Sequence, residues 1–285
     1  GSEPSTAESQ AWVNYFVTRL EATEEKFTNS AEFQARWKSI MAAAPQPDTG
    51  GTYADIGVLL DIGPGVPASE IATIDEGLTI AQEFLETYLG GGIPENVRKT
   101  ISAKIVATGL GNQDQGGYGA CCTAFSKDET GKSVIRPFFD VANKDWHQTG
   151  RPVALGFWTP TEGDQKTVAH EYAHGWQHYL GCMFADQPLG FWLNEGIAEF
   201  LAYEAMIKKG TMHLADVTDH MTYSARVTGQ LSSPLSTFAT NGPGIWPGHV
   251  GYLAVNELVG NAPSGIMSLR TVCEEVAEGS TVPSA

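Results

Sequence analysis

Positive charge is scarce in this chain: 17 Lys and Arg stand against 33 Asp and Glu over 285 residues, a formal net charge of -16. Nucleic-acid binding requires clustered Lys and Arg against phosphate, so the deficit argues against a nucleic-acid partner. Long apolar runs are missing as well. No stretch of about 18 uncharged apolar residues occurs, so no membrane span is expected. None of the four cysteines, Cys121, Cys122, Cys182 and Cys273, sits in a C-x-x-C pair, which argues against a thiolate zinc site. They permit up to two disulfides with the pairing open, or buried reduced thiols. The even count favours an exported protein, secreted or periplasmic. Internal repeats and low-complexity segments are lacking too. What is present, 42% hydrophobic and 18% charged residues, suits a compact globular protein.

Gly1-Ser2 reads as a scar of tag removal and residues 1–7 as a disordered start. Residues 8–66 read as an N-terminal helical region and linker. Trp12, Phe16, Leu20 and Phe27 form one apolar stripe at helical spacing, and Phe33, Trp37, Ile40 and Met41 form another. The Gly-, Pro- and Asp-rich segment 46–66 is the linker, with a short strand expected at 56–60. The remainder, 67–285, reads as one domain. A helix is expected over 68–89, stopped by Gly90-Gly91-Gly92. Strands follow at 101–108, 134–141 and 153–158, with a Gly-rich loop over 109–120. Four helices are then expected at 164–181, 190–209, 211–228 and 247–260. The fold class is α+β: a small mixed β-sheet, then a helical half carrying the candidate site, with extra N-terminal helices.

The chemistry is concentrated in His170-Glu171-Tyr172-Ala173-His174, an H-E-x-x-H pattern. Positions i and i+4 share a helix face, so both imidazoles can converge on one ion. Zn²⁺ accepts imidazole nitrogen at about 2.0–2.1 Å. Glu171 is rotated by about 100° from His170, which keeps it off the ion and within reach of a water bound there. An incidental pair of helical histidines is the bland alternative. A catalytic zinc needs a third protein ligand and an open position. Glu195, in Phe191-Trp192-Leu193-Asn194-Glu195-Gly196-Ile197-Ala198-Glu199, follows His174 with 20 residues between, room for a loop and an antiparallel helix. His178 extends the i, i+4 row to i+8, about 12 Å along the axis, so a third imidazole reaches the same ion only if the helix breaks, for which Gly175 offers a place.

These residues resemble the gluzincin metallopeptidases, in which H-E-x-x-H on one helix is completed by a Glu from the next. Trp192-Leu193-Asn194-Glu195-Gly196 is similar to the aminopeptidase M1 type, while the spacing is closer to thermolysin. The resemblance makes Glu195 the third ligand to Zn²⁺, the cofactor it implies. Glu199, one turn on, is placed to accept the free ring N–H of a ligating histidine. Asn194 is a weaker candidate for that outer shell, and Gln177 packs or hydrogen-bonds nearby. Gluzincins add a Tyr or His that stabilises an oxyanion, often from a Tyr-x-x-Gly string. Here Gly248 stands where that Tyr would be, leaving His249 and Tyr252 as candidates and His220 and Tyr223 as outsiders.

The expected activity is hydrolysis of peptide bonds by a zinc-activated water with Glu171 as general base. The segment 153–159 is a candidate sheet edge for pairing with an extended peptide or protein substrate. Two alternatives stay open: a catalytically silent peptidase-like domain that binds a peptide or protein partner, and a zinc hydrolase of non-peptide substrates.

Overall fold

The computed structural model describes residues 52–110, 122–127, 133–143, 146–147, 150–182, 190–235 and 246–277. The expected N-terminal helices, the first part of the linker, Cys121 and most of the Gly-rich loop lie outside these residues.

The architecture is α+β. Strands β1 (Thr52–Tyr53), β2 (Leu59–Ile62), β3 (Ser102–Val106), β4 (Cys122–Lys127) and β5 (Ser133–Asp140) form one mixed sheet in the order β1-β2-β3-β5-β4. The two central pairings, β2 with β3 and β3 with β5, are parallel, and the outer two are antiparallel. Alternation places Ala103 and Ile105 of β3 in the core, where Ile105 registers with Phe139. The strand expected at 56–60 begins later, because residues 54–58 close a tight turn: Ala54 N–H donates to Val58 O, and Gly57 takes φ 85°.

The helices are α1 (Ala68–Tyr88), α2 (Glu95–Arg98), α3 (Arg151–Ala154), α4 (Pro160–Leu180), α5 (Gly190–Lys209), α6 (Leu214–Val227), α7 (Gly248–Asn261) and α8 (Ser268–Ala277). Four of the five long ones match the expected stretches closely. Helix α4 starts earlier than the expected 164 because Thr159 and Glu162 form a capping box. Glu162 Oε2 accepts from Thr159 N–H at 2.6 Å, Thr159 Oγ1 accepts from Glu162 N–H at 3.3 Å, and Pro160 fills the first helical position. Gly181 ends it at φ 80°.

One expected element is overturned. Residues 153–158 are not a strand: Pro152 opens the short α3, and Gly156 at φ 72° turns the chain into the α4 cap. A proline has no N–H to give a ladder, and a left-handed residue interrupts an extended run. The strand-addition edge proposed for 153–159 is therefore absent.

Helix α4 lies in the middle of the domain. On one side α1 approaches so closely that a Cβ on Gly77 would lie 2.7 Å from Val168 Cβ. Buried Gln82 of α1 exchanges both hydrogen bonds with the Ile93 backbone and accepts from Tyr172 of α4 at 2.6 Å. On the other side lies α5, which is backed in turn by α7 through glycine on glycine. A Cβ on Gly196 would meet the Gly251 backbone at 2.7 Å, and one on Gly251 would meet Trp192 O at 2.6 Å. A disulfide joins Cys182, just past α4, to Cys273 of α8. Among the described residues, no helix is long and apolar enough to cross a membrane.

The glycine contact yields a prediction. Gly251→Ala forces α7 away from α5, and overpacking of this kind costs about 1–3 kcal/mol. Denaturant unfolding of the variant should show that loss of stability; a stability equal to wild type would mean the two helices are not in backbone contact.

Candidate metal centre

Helices α4 and α5 run side by side, and their facing charges form a ladder. Lys166, His170 and His174 are spaced i, i+4 and i+8 on α4; Glu195 and Glu199 are i and i+4 on α5. At one end of the ladder two imidazoles and a carboxylate converge. His170 Nε2 is 3.2 Å from His174 Nε2, His170 Nε2 is 3.4 Å from Glu195 Oε2, and His174 Nε2 is 3.6 Å from Glu195 Oε1. Tetrahedral bonds of about 2.0–2.1 Å place neighbouring donors about 3.3–3.4 Å apart, so the spacing fits a zinc-sized ion held by His170, His174 and Glu195.

The ring orientations are imposed from behind. His170 Nδ1 lies 2.8 Å from Glu199 Oε2, and His174 Nδ1 lies 2.8 Å from Gln177 Oε1. Gln177 is fixed in turn by donating from Nε2 to Asn194 O at 3.1 Å, so Asn194 supports the site through its backbone carbonyl. With both Nδ1 atoms engaged, both Nε2 lone pairs face the same small space. Two lone pairs 3.2 Å apart repel unless a proton or a metal ion lies between them and the carboxylate.

Charge makes the same demand. Glu171, Glu195 and Glu199 are three carboxylates, and among the described residues Lys166 is the fixed cation that pairs with one of them. Its Nζ is 3.0 and 3.1 Å from the two Glu199 oxygens, and both residues are almost fully buried. With neutral imidazoles the cluster carries two net negative charges, the complement of a divalent cation. Without metal, the proton takes that place. Burial disfavours the His170 imidazolium, but hydrogen bonds to Glu195 and Glu199 outweigh it and lift the group to about 10. Burial opposes the Glu195 and Glu199 carboxylates too, yet the neighbouring cations prevail. His174 and His170 hold Glu195 far below the usual carboxylate range, and Lys166 with His170 brings Glu199 to about 2. Glu171 differs: burial dominates over the two histidines and raises it. A carboxyl so raised is suited to exchanging protons nearer neutral pH.

The other sequence candidates divide. Tyr252 is wholly buried in the core, with the rings of Phe200 and Tyr203 5.9 and 5.7 Å away. Such burial in the core does not favour contact between its hydroxyl and a substrate. His249 stays near the centre, one ring removed: Trp246 is 6.1 Å from the His170 ring and 5.1 Å from the His249 ring. His220 follows at 5.9 Å, and burial together with His249 lowers it to about 4. Burial lowers His249 as well. Tyr223 is an exposed residue under the Arg151 guanidinium, 4.1 Å from its ring, and takes no part. His178 falls outside the converging group.

Two residues of the centre escaped the sequence reading. Lys166 extends the i, i+4 row backwards from His170, a signal the row itself contained. Trp246, whose indole N–H donates to Glu195 Oε2 at 2.7 Å, follows no motif.

A second group, Glu70, His147 and Asp164, brings one His and two carboxylates together. Here opposite ring nitrogens are used: Nδ1 is 2.8 Å from Asp164 Oδ2 and Nε2 is 3.9 Å from Glu70 Oε1. His147 thus bridges α1 and α4, and one ligand atom from each of the three residues also lies within 4.8 Å of the others.

No family model matches the chain, and no curated protein or solved structure matches it either.

The titration of the metal-free site has a measurable sign. A group raised in the folded state, as His170 is from 6.5 to about 10, stabilises fully below 6.5 and loses that contribution as pH rises through 10. A group depressed from 4.5 to about 2, as Glu199 is, stabilises above 4.5 and loses it as pH falls towards 2. The thermal midpoint of metal-free protein should therefore be highest between about pH 4.5 and 6.5 and decline on both sides; a midpoint flat from pH 6.5 to 10 would contradict the geometry around His170.

Proposed function

We propose that this chain is a zinc-dependent peptidase of the gluzincin type, with His170, His174 and Glu195 as ligands and Glu171 as general base. The carrying observation is the convergence of two imidazole nitrogens 3.2 Å apart on one carboxylate, with Glu195 Oε2 3.4 Å from His170 Nε2 and Glu195 Oε1 3.6 Å from His174 Nε2, spacings that suit a zinc-sized ion. Structural zinc sites are closed and usually rich in Cys; three protein ligands beside an unligated carboxylate suit catalysis.

A zinc ion bound there supplies Lewis acidity to a water and to the scissile carbonyl. Glu171 takes the proton of the attacking water and delivers it to the leaving amine, for which its burial-raised affinity for protons is suited. Glu199 and Gln177 hold the imidazoles in the tautomer that leaves Nε2 for the ion. Lys166 keeps Glu199 ionised, so that His170 faces a carboxylate rather than a neutral acid. His249 is the remaining candidate to steady an oxyanion, as a neutral imidazole. The substrate is a peptide or protein. The Cys182–Cys273 bond supports an exported setting, secreted or periplasmic, where disulfides persist.

Cleavage of a diverse peptide library read by mass spectrometry tests the reading. Glu171→Gln should retain zinc and lose about 10²- to 10⁴-fold in turnover. Glu195→Ala should instead lose zinc, measured as metal per chain after purification. Turnover by Glu171→Gln at the wild-type rate would end the assignment of the base, and cuts by neither protein with zinc bound in both would end the peptidase reading.

A further inference from the structure

Trp246 stands at the start of α7, and its surroundings fix it from three sides. Its backbone carbonyl accepts from Gln230 Nε2 at 3.0 Å, while Gln230 Oε1 accepts from Val250 N–H at 3.0 Å. Gln230 is itself only 1% exposed, so this clamp lies inside the protein. The six-membered part of the indole rests directly on Gly248: a Cβ there would lie 2.1 Å from two ring carbons. Only glycine leaves the ring that room. The position at which gluzincin-like enzymes were expected to carry a tyrosine is thus taken up, in this chain, by the space for an indole. The third side is the metal centre, where the indole N–H meets Glu195 Oε2 at 2.7 Å.

A carboxylate at the end of a Glu side chain turns freely about its last bond, because terminal sp³–sp² torsions are broad. In the open triangle, either oxygen of Glu195 can face the ion: Oε2 looks to His170 and Oε1 to His174. A donor fixed in space selects one orientation. Indole suits this task because it donates and cannot accept, and because it carries no charge. A Lys or Arg in its place would make an ion pair with Glu195 and repel an incoming cation.

We infer that Trp246 is a positioning residue for the third ligand. Its N–H holds one oxygen of Glu195 so that the carboxylate is presented to the cation in a single orientation, and Gly248 and Gln230 hold the indole where it can do so. The inference rests on His170, His174 and Glu195 being a zinc site. It gives a role to an aromatic ring that is 40% exposed beside a hydrophilic centre.

The test is the zinc dissociation constant of metal-free protein, measured by competition with a chromophoric chelator, alongside the thermal midpoint of the same metal-free samples. Trp246→Phe keeps an aromatic ring and deletes the donor. It should weaken zinc by about 10- to 100-fold, the usual effect of losing an outer-shell partner, with the metal-free midpoint near that of wild type. Gly248→Ala keeps the indole but displaces it, and should weaken zinc in the same direction. Unchanged zinc affinity in Trp246→Phe overturns the inference and leaves the metal centre standing. A loss of affinity accompanied by an equal collapse of the metal-free midpoint also overturns it, since the residue would then act through the fold. Failure of wild type to bind zinc overturns the metal centre and this inference together.

Discussion

Everything at the centre depends on α4 and α5 lying close enough for side chains on facing i, i+4 rows to pair. From that one contact follow the pairing of His174 with Glu195, of His170 with Glu195 and Glu199, and of Lys166 with Glu199. The rest of the fold secures the approach. Gly77 lets α1 press on the back of α4, and Gly196 and Gly251 let α7 press on the back of α5. The small sheet contributes the floor of the same core through Ile105 and Phe139.

The ladder is costly to bury, since each desolvated charge must be compensated. Glu199 is compensated twice, by Lys166 and by His170, which lets it remain ionised with 2% exposure. Glu195 has a neutral indole and two imidazoles instead, an arrangement that leaves attraction for a cation unspent. For Glu171 burial outweighs the pull of the same histidines, and its proton affinity is raised. Three glutamates, one on α4 and two on α5, thus acquire three different electrostatic characters from their neighbours alone.

Much of this was legible in the sequence because it is local. Helical periodicity placed α1 and α4 to α7 within a few residues, and H-E-x-x-H with a following Glu and a further Glu one turn on described the ladder's upper part. Lys166 belongs to the same i, i+4 row one turn before His170, where H-E-x-x-H itself gives no cue to it. The errors were of another kind. Val153, Phe157 and Trp158 looked like a strand because apolar content outweighed the signals of Pro152 and Gly156. Tyr252 and His249 sit three residues apart on α7, and sequence spacing does not show that Tyr252 is the fully buried one. The contribution of Trp246 depends on a contact with Glu195 across 51 positions of chain, which no spacing rule encodes.

The backbone contact between Gly196 and Gly251 has a thermodynamic corollary. Glu195 immediately precedes the contact on α5, so its Cα is located by helix packing that exists before any ion arrives. A ligand set assembled in advance spends little conformational entropy on capture, unlike small zinc domains that fold only around their metal. On the proposed zinc reading, removing the ion should therefore leave an intact cradle, with affinity set by proton competition and ligand orientation rather than by the cost of ordering a chain.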